Sequence, residues 1–335
     1  MGERDATFEE YRPAAAPEAI ALWNRALGAR FPLTERLWRQ NVDDDPNYAP
    51  GDGLLARDPD GALAGFVLVR RFRDWGDAAD LAEWRDRGWL VALAVAPERQ
   101  GRGFGSRLLD RAEARLREQG ATHCLAGGSP SHFLPGPPAG DDRALRFWER
   151  RGYHPLGQVH DLRRALADWV APPPPPAIRD GEFRIAPAQP GEEDALLAFL
   201  RRAFPGRWRY DTAAALARGN PIGDVLALKD RAGAIEGFLA LWDFASPLLG
   251  PSTTWYPVLG PRFGGIGPVG IAEHVRGRGL GLALVAAGVD ALHRRGVAES
   301  AIDWTELTAF YGRLGYRVYR TYWRCAPVPL VAGGA

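Results

Sequence analysis

The sequence predicts an α+β fold repeated twice along one chain. Three observations lead to that reading: the length, an internal repeat, and a proline run between the copies. At 335 residues the chain is about twice the size of a common single domain. Gly61-Ala-Leu-Ala-Gly-Phe66 matches Gly233-Ala-Ile-Glu-Gly-Phe238 at an offset of 172. Gln100-Gly-Arg-Gly-Phe-Gly105 matches Arg276-Gly-Arg-Gly-Leu-Gly281 at 176, and the same offset carries Gly120 onto Gly296. Phe147-Trp-Glu-Arg-Arg-Gly-Tyr153 matches Phe310-Tyr-Gly-Arg-Leu-Gly-Tyr316 at 163, so the first copy carries 13 extra residues before this block. Ordered matches with one localised insertion mark a tandem duplication. Between the copies, Pro172 to Pro176 are five consecutive prolines. Such a run favours extended polyproline II and acts as a semi-rigid spacer. The expected organisation is an N-terminal domain over 1–170, a linker over 171–177 and a C-terminal domain over 178–335.

The elements fall in the same order in each copy. Tyr11 and Phe183 to Ile185 open short strands, followed by helical stretches at Glu18 to Leu27 and Glu192 to Phe204. Leu63 to Val69 and Ile235 to Trp242 read as apolar strands, as do Trp89 to Val95 and its counterpart Gly267 to Ile271. A glycine-rich turn comes next, then a long helix, Gly105 to Gln119 or Gly281 to Arg295, ended by Gly120 or Gly296 in the position of a helix C-terminal glycine. Thr122 to Ala126 and Ser300 to Trp304 are short strands, and each copy closes with a short helix and a last strand. Each domain is thus expected to be a mixed, mostly antiparallel sheet flanked by helices.

Composition removes several function classes. Basic and acidic residues number 42 and 41, which gives no electrostatic steering toward nucleic acid or anionic lipid. No apolar run reaches the ~18 residues of a membrane span, and Met1 to Glu10 is acidic and polar, unlike a secretory signal. With only Cys124 and Cys325 and no CxxC, neither a disulfide framework nor a thiolate metal site is indicated. The six histidines show no HExxH spacing, so no metal is expected. A cytoplasmic protein without nucleic-acid or membrane partners follows; the oligomeric state does not.

The turn between strand and long helix carries the chemistry. In Gln100-x-x-Gly103-x-Gly105 and Arg276-x-x-Gly279-x-Gly281, glycines let the backbone approach a ligand closely. Their N–H groups sit at the positive end of a helix, a site suited to a pyrophosphate. Arg102 and Arg278 add charge beside it. A Walker loop needs GK[ST], whereas the single lysine, Lys229, lies far from either turn. Gly265-Ile-Gly267-Pro-Val-Gly270 has dinucleotide spacing, but it precedes or lies within a strand, contains Pro268 and opens no helix.

These residues resemble the GNAT acetyltransferases, which transfer acetyl from acetyl-coenzyme A to amines. Both copies match the family motif [QR]-x-x-G-x-[GA] after the fourth strand. A second hallmark, a Tyr four residues before the Gly of a Gly-aromatic pair, is matched by Tyr311 with Gly315-Tyr316. The resemblance covers most of both halves. It implies that Arg276, Gly277, Arg278, Gly279, Leu280 and Gly281 bind the pyrophosphate of acetyl-coenzyme A. Gly270 and Ile271 would then hold its pantetheine arm and polarise the thioester carbonyl. The N-terminal copy offers Val95 with Gln100, Gly101, Arg102, Gly103, Phe104 and Gly105. Tyr311 would protonate the departing thiolate, a phenol of pKa about 10 being able to donate to a basic leaving group. The first half departs from the pattern: Trp148 stands where the second has Tyr311, and an indole N–H is no comparable acid.

Many family members carry an acid 13 residues before the motif, but Phe263 and Arg87 stand there. Asp303, in the strand beside the expected reaction centre, is the candidate general base, with Asp243 and Glu306 in reserve. The insertion His132-Phe-Leu-Pro-Gly-Pro-Pro138 is expected near the acceptor's path. It, Gly264-Gly-Ile-Gly-Pro-Val-Gly270 and Asp303-Trp-Thr305 resemble, loosely, bacterial glucosamine and glucosaminide N-acetyltransferases. The expected activity is acetyl transfer to the primary amine of a small molecule such as an amino sugar. The alternatives are a mycothiol-synthase-like or peptide or antibiotic amine acetyltransferase, and a non-catalytic coenzyme-binding sensor or scaffold.

Overall fold

The computed structural model describes residues 6–73 and 79–330; Met1 to Asp5 of the acidic N-terminus lie outside the described residues. Along the chain run β1 (Thr7–Glu10), α1 (Ala16–Ala26), α2 (Glu35–Trp38), β2 (Gly53–Arg57), β3 (Leu63–Arg71), β4 (Arg87–Val95), α3 (Phe104–Glu118), β5 (His123–Ala126), α4 (Asp142–Arg150) and β6 (Pro155–Ala165). The second half continues with α5 (Pro176–Arg179), β7 (Phe183–Pro187), α6 (Glu193–Ala203), α7 (Arg207–Ala217), β8 (Val225–Asp230), β9 (Ile235–Asp243), α8 (Tyr256–Leu259), β10 (Phe263–Ile271), α9 (Leu280–Arg294), β11 (Glu299–Thr305), α10 (Thr308–Gly312), β12 (Arg317–Cys325) and β13 (Val328–Pro329). The expected strands and long helices stand within a few residues of these bounds, except that Tyr11 follows β1 instead of opening it. The sequence reading did not name β2, β8, α2 or α7. Among the described residues no helix is long and apolar enough to cross a membrane.

The chain forms two compact units, one of residues through Val159 together with those from Thr321 on, the other from His160 to Arg320. The first holds a sheet in the order β1-β2-β3-β4-β5-β13, antiparallel except for the parallel pair β4–β5. The second unit repeats the pattern: β7, β8, β9 and β10 are antiparallel neighbours, β10 runs parallel to β11, and β6 pairs antiparallel with β11. Beside the inner parallel strand, then, each sheet takes a strand from the opposite half of the sequence. The units accordingly divide at 159/160 and 320/321, whereas the sequence places the division at the proline run, and Pro172 to Pro176 fall within the second unit. A periodicity argument finds a last strand in each half but has no access to which sheet it joins.

In the first unit, Leu108, Leu109, Ala112 and Leu116 of α3 are fully buried in one cluster with Ala64, Val67 and Val69 of β3. Their recurrence at helical spacing is what seats the helix on the sheet. Gly120 ends it at φ 80°, and Ala121 donates back to the Leu116 carbonyl at 2.9 Å, a Schellman closure. Gly296 repeats this at φ 81°, with Val297 donating to Leu292 at 3.1 Å.

The alternate side chains of β3 meet different neighbours. Phe66 packs with Trp38, ring centroids 5.7 Å apart, and Trp38 stacks on Phe133 at 6.2 Å. Four residues further along the same strand, fully buried Arg70 donates to the carbonyls of Asn41 at 2.6 Å and Pro130 at 3.0 Å, beside Asp45 at 3.4 Å. The insertion expected to shape an acceptor site is thereby corrected: His132 and Phe133 are buried in the first unit. An unpaired buried guanidinium costs several kcal/mol, and the carbonyls of Asn41 and of Pro130, just before the insertion, supply the acceptors that Arg70 needs.

Candidate functional site

The two glycine turns have nearly the same backbone. Gly101 and Gly103 take φ 76° and 82°, and Gly277 and Gly279 both take 78°, values that favour glycine. Each turn follows a single 3₁₀ turn, Pro97–Arg99 or Glu273–Val275, and leads into a helix whose N-cap glycine brings no side-chain cap. The first N–H groups of α3 and α9 are therefore left for a ligand. The Gln/Arg alternation at the motif's first position also gains a reason. Gln100 Nε2 donates to the Val95 carbonyl at 3.2 Å, and Arg276 Nε to the Ile271 carbonyl at 3.4 Å. Either side chain ties the turn to the end of its strand, five residues back in both copies.

The strand before each turn has one edge open. β4 pairs with β5 only from Arg87↔His123 to Leu90↔Ala126, and β10 with β11 only from Phe263↔Glu299 to Gly265↔Ala301. Beyond these points the parallel strands part, leaving Val91–Val95 and Ile266–Ile271 without a paired strand on that side among the described residues. A bulge marks each parting. Val91 is the extra residue opposite Leu68/Val69, and in β10 the register against β9 shifts between Ile266 and Val269. The formal dinucleotide spacing at Gly265 to Gly270 lies inside β10 and opens no helix.

In the first unit these parts enclose a cleft of about 400 Å³. Leu93, Ala94 and Val95, the turn glycines, and Arg143 and Trp148 of α4 line it. A Cβ on Gly101 would come 2.9 Å from Arg143 Nη2, so a guanidinium stands directly over the turn. An uncapped helix end, a glycine cradle and a nearby arginine fit the diphosphate of acetyl-coenzyme A. In the second unit Arg278 pairs with Glu182 and lies over the Phe183 ring at 5.2 Å. Pro175 packs on the turn, its Cβ 3.2 Å from where a Cβ on Gly279 would stand. The proline run is thus a wall of the second turn. Gly270 takes the ring of Phe204, 2.4 Å from the place of a Cβ, where the first copy sets Leu27 and Ala94 along its cleft.

The second unit brings Tyr311 and Asp303 together. Tyr311, on α10, is buried, with Phe310 at 5.0 Å and Tyr316 at 6.4 Å between ring centroids. Its hydroxyl makes no hydrogen bond among the described residues. Burial, and then the negative charge of Asp303, push it up to about 12. The carboxylate of Asp303 forms no ion pair or hydrogen bond with another described residue, and its Oδ1 lies 3.7 Å from the place of a Cβ on Gly267. It therefore faces the β10 bulge, where β10 and β11 part. Burial first, and then the charge of Asp161, push Asp303 up to about 7 against the pull of Arg207. A carboxylate held near neutrality with no partner of its own has the properties of a general base.

The two reserve carboxylates stand elsewhere. Asp243 is buried at the far end of β9, bound to Arg295 at 3.1 Å and accepting from Ala245 N–H at 2.8 Å. Glu306 is exposed after β11. Sequence reasoning missed Asp161, Arg207 and Arg143, none of which belongs to a repeated block. Arg207 lies over the Trp304 ring at 5.2 Å and binds Asp211 at 2.8 Å.

Known proteins agree with this construction. The model of the acetyltransferase (GNAT) family matches residues 18–153. Mycothiol acetyltransferase of Salinispora arenicola is 32% identical over 287 residues, covering 81% of this chain and 80% of that protein. Mycothiol acetyltransferase of Saccharopolyspora erythraea is 29% identical over 298 residues, covering 81% and 84%. Among solved structures, the glucosamine N-acetyltransferase region of a fungal multi-domain GH3 β-N-acetylglucosaminidase superposes with a TM-score of 0.85 at 28% identity, over 96% of this chain. The chain spans 38% of that longer enzyme. With the paired glycine turns, the parted strands and these relatives in view, the chain belongs to the GNAT acetyltransferase family as a tandem N-acetyltransferase.

Proposed function

We propose that the second unit transfers acetyl from acetyl-coenzyme A to the primary amine of an amino sugar or a glycoside of one. The observation that carries this reading is the Asp303 carboxylate facing the β10 bulge, where β10 and β11 part, with Tyr311 close enough for its hydroxyl to feel that charge. The coenzyme supplies the acetyl group as a thioester. The backbone from Arg276 to Gly281 holds its diphosphate, and the free edge of β10 at Gly270 and Ile271 donates to the thioester oxygen. Asp303 takes the proton that the amine must lose to attack. A carboxylate near 7 accepts that proton far more readily than one near 4. Tyr311, at about 12, stays protonated at neutral pH. Because a thiol ionises near 8.5, full transfer from this phenol to a finished thiolate runs uphill. Tyr311 therefore donates its hydrogen bond to the sulfur while the C–S bond breaks, and Asp303 returns the proton.

The names of the two mycothiol acetyltransferases above favour a second acceptor, the amine precursor of mycothiol. Purified protein with acetyl-coenzyme A and single amines, followed by thiol release, separates the readings. Turnover with glucosamine or its glycosides supports the first, and turnover restricted to the mycothiol precursor replaces it with the second. Coenzyme binding without turnover on either, or on peptide amines, supports the sensor.

A further inference from the structure

β6 and β11 pair Ile302↔Leu162 and Thr305↔His160. Between these pairs two residues, Asp303 and Trp304, stand opposite one, Asp161, which is the count of a β-bulge. Trp304 takes φ 42°, a left-handed conformation that costs a bulky residue of this kind on the order of 1–3 kcal/mol and persists only where its surroundings hold it. The holder is Asp161: the Trp304 N–H donates to its Oδ1 at 3.2 Å, and Asp161 is buried. The peptide that carries this N–H joins Trp304 to Asp303, so fixing it fixes the direction in which Asp303 leaves the strand.

We infer that Asp161 is the positioning residue for the general base: it locks the Asp303–Trp304 bulge so that the Asp303 carboxylate faces the β10 bulge, with its own carboxylate buried beside it. The inference rests on Asp303 as the base. Two separable effects are contained in it, a hydrogen bond that aims and a charge that tunes. The groups facing Asp303 from the elements packed around it are Asp161 on β6, Arg207 and Asp211 on α7, Tyr311 on α10 and Tyr319 on β12. Burial raises Asp303 first, and the Asp161 charge is the largest contribution from any neighbour. Arg207, held by Asp211, pulls the other way. Nothing in the glycine motif or the tyrosine block points to Asp161. It lies on the strand that enters this sheet from the other half of the sequence.

The test compares three single variants of the full chain by pH profiles of kcat. Asp161→Asn keeps an oxygen for Trp304 N–H but removes the charge. It is expected to move the acidic limb down by about one pH unit and to leave kcat above pH 9 within about threefold. Asp161→Ala removes both, and kcat above pH 9 is expected to fall about 10- to 100-fold with the KM for acetyl-coenzyme A unchanged. Asp303→Asn is the control and should abolish the limb. An acidic limb unmoved in Asp161→Asn, with the limb lost in Asp303→Asn, overturns the role of Asp161 and leaves the base standing. A limb retained at full turnover in Asp303→Asn overturns the base and this inference with it. Thermal melts at each pH show whether Asp161→Ala is folded. If it is not, Asp161→Asn decides alone, since it preserves the hydrogen bond.

Discussion

In the first unit the glycine turn opens on a cleft closed by Trp148; in the second, the same turn belongs to a unit that carries Tyr311 and Asp303. The offset of 176 that aligns the turns also aligns β5 with β11, and it sets Gly127 opposite Asp303 and Gly128 opposite Trp304. The backbone keeps its bend there, with φ 73° at Gly128 and 42° at Trp304. The side chains do not survive the comparison. A Cβ on Gly127 would come 2.6 Å from the Leu134 carbonyl, so the backbone of the insertion fills the space an aspartate would need. Both side chains are therefore absent from the first copy, and the insertion accounts for one of the losses. A coenzyme site made of backbone N–H groups tolerates divergence of side chains, whereas an acid and a base made of two side chains are lost by two substitutions.

The strongest way to break this asymmetry is through Tyr311. Tyr311→Phe is expected to lower kcat about 10²- to 10³-fold with little change in acetyl-coenzyme A affinity by calorimetry. Trp148→Phe should change kcat by less than about threefold. Equal losses from the two would return the first unit to catalysis.

The pH dependence comes next in size. Asp303 must be ionised to accept a proton, so with its carboxyl at about 7 kcat should rise with pH through that value and level above it. The sign for stability is opposite. A carboxyl raised from 3.8 to about 7 favours the folded state below pH 4, and that contribution is lost as pH rises through 7. Asp303→Asn should therefore raise stability at pH 8 by on the order of 2 kcal/mol, discounted for solvent screening, while activity disappears. A melting temperature that falls instead would show that the carboxylate is held by a favourable partner.

Smaller effects test the turns. Gly101→Ala and Gly277→Ala each force alanine into the left-handed region at about 1–2 kcal/mol. At Gly101 the new methyl also presses on Arg143, whereas at Gly277 it meets nothing within 4 Å. Calorimetry should resolve two coenzyme sites per chain, with the first weakened by Gly101→Ala and the second by Gly277→Ala. Arg276→Gln, which restores the donor found at Gln100, should cost less than Arg276→Ala. A single site unaffected by Gly101→Ala would make the first cleft a relic.

Much of this was legible before any coordinates. The repeat offsets carried the duplication, because glycines with φ near 80° admit almost no other residue and so keep their spacing. Tyr311 and Asp303 stood out as candidates by their place beside the turn, and Trp148 by its mismatch. The insertion was misread because aromatic and proline residues suit a site wall and a core equally; Arg70, far away in sequence, decided for the core. Asp161 and Arg143 carry no local signal, since nothing near them in sequence marks a partner across a sheet or over a turn.

The sequence by itself determined that there are two copies of one strand–turn–helix unit and that only one keeps its tyrosine, because both facts rest on local spacing and residue type. Tertiary structure alone decided which strand completes each sheet, and with it that Asp161 stands opposite Asp303. Strand pairing is a choice among long-range hydrogen-bonded partners of similar apolar pattern, and only the folded chain makes it.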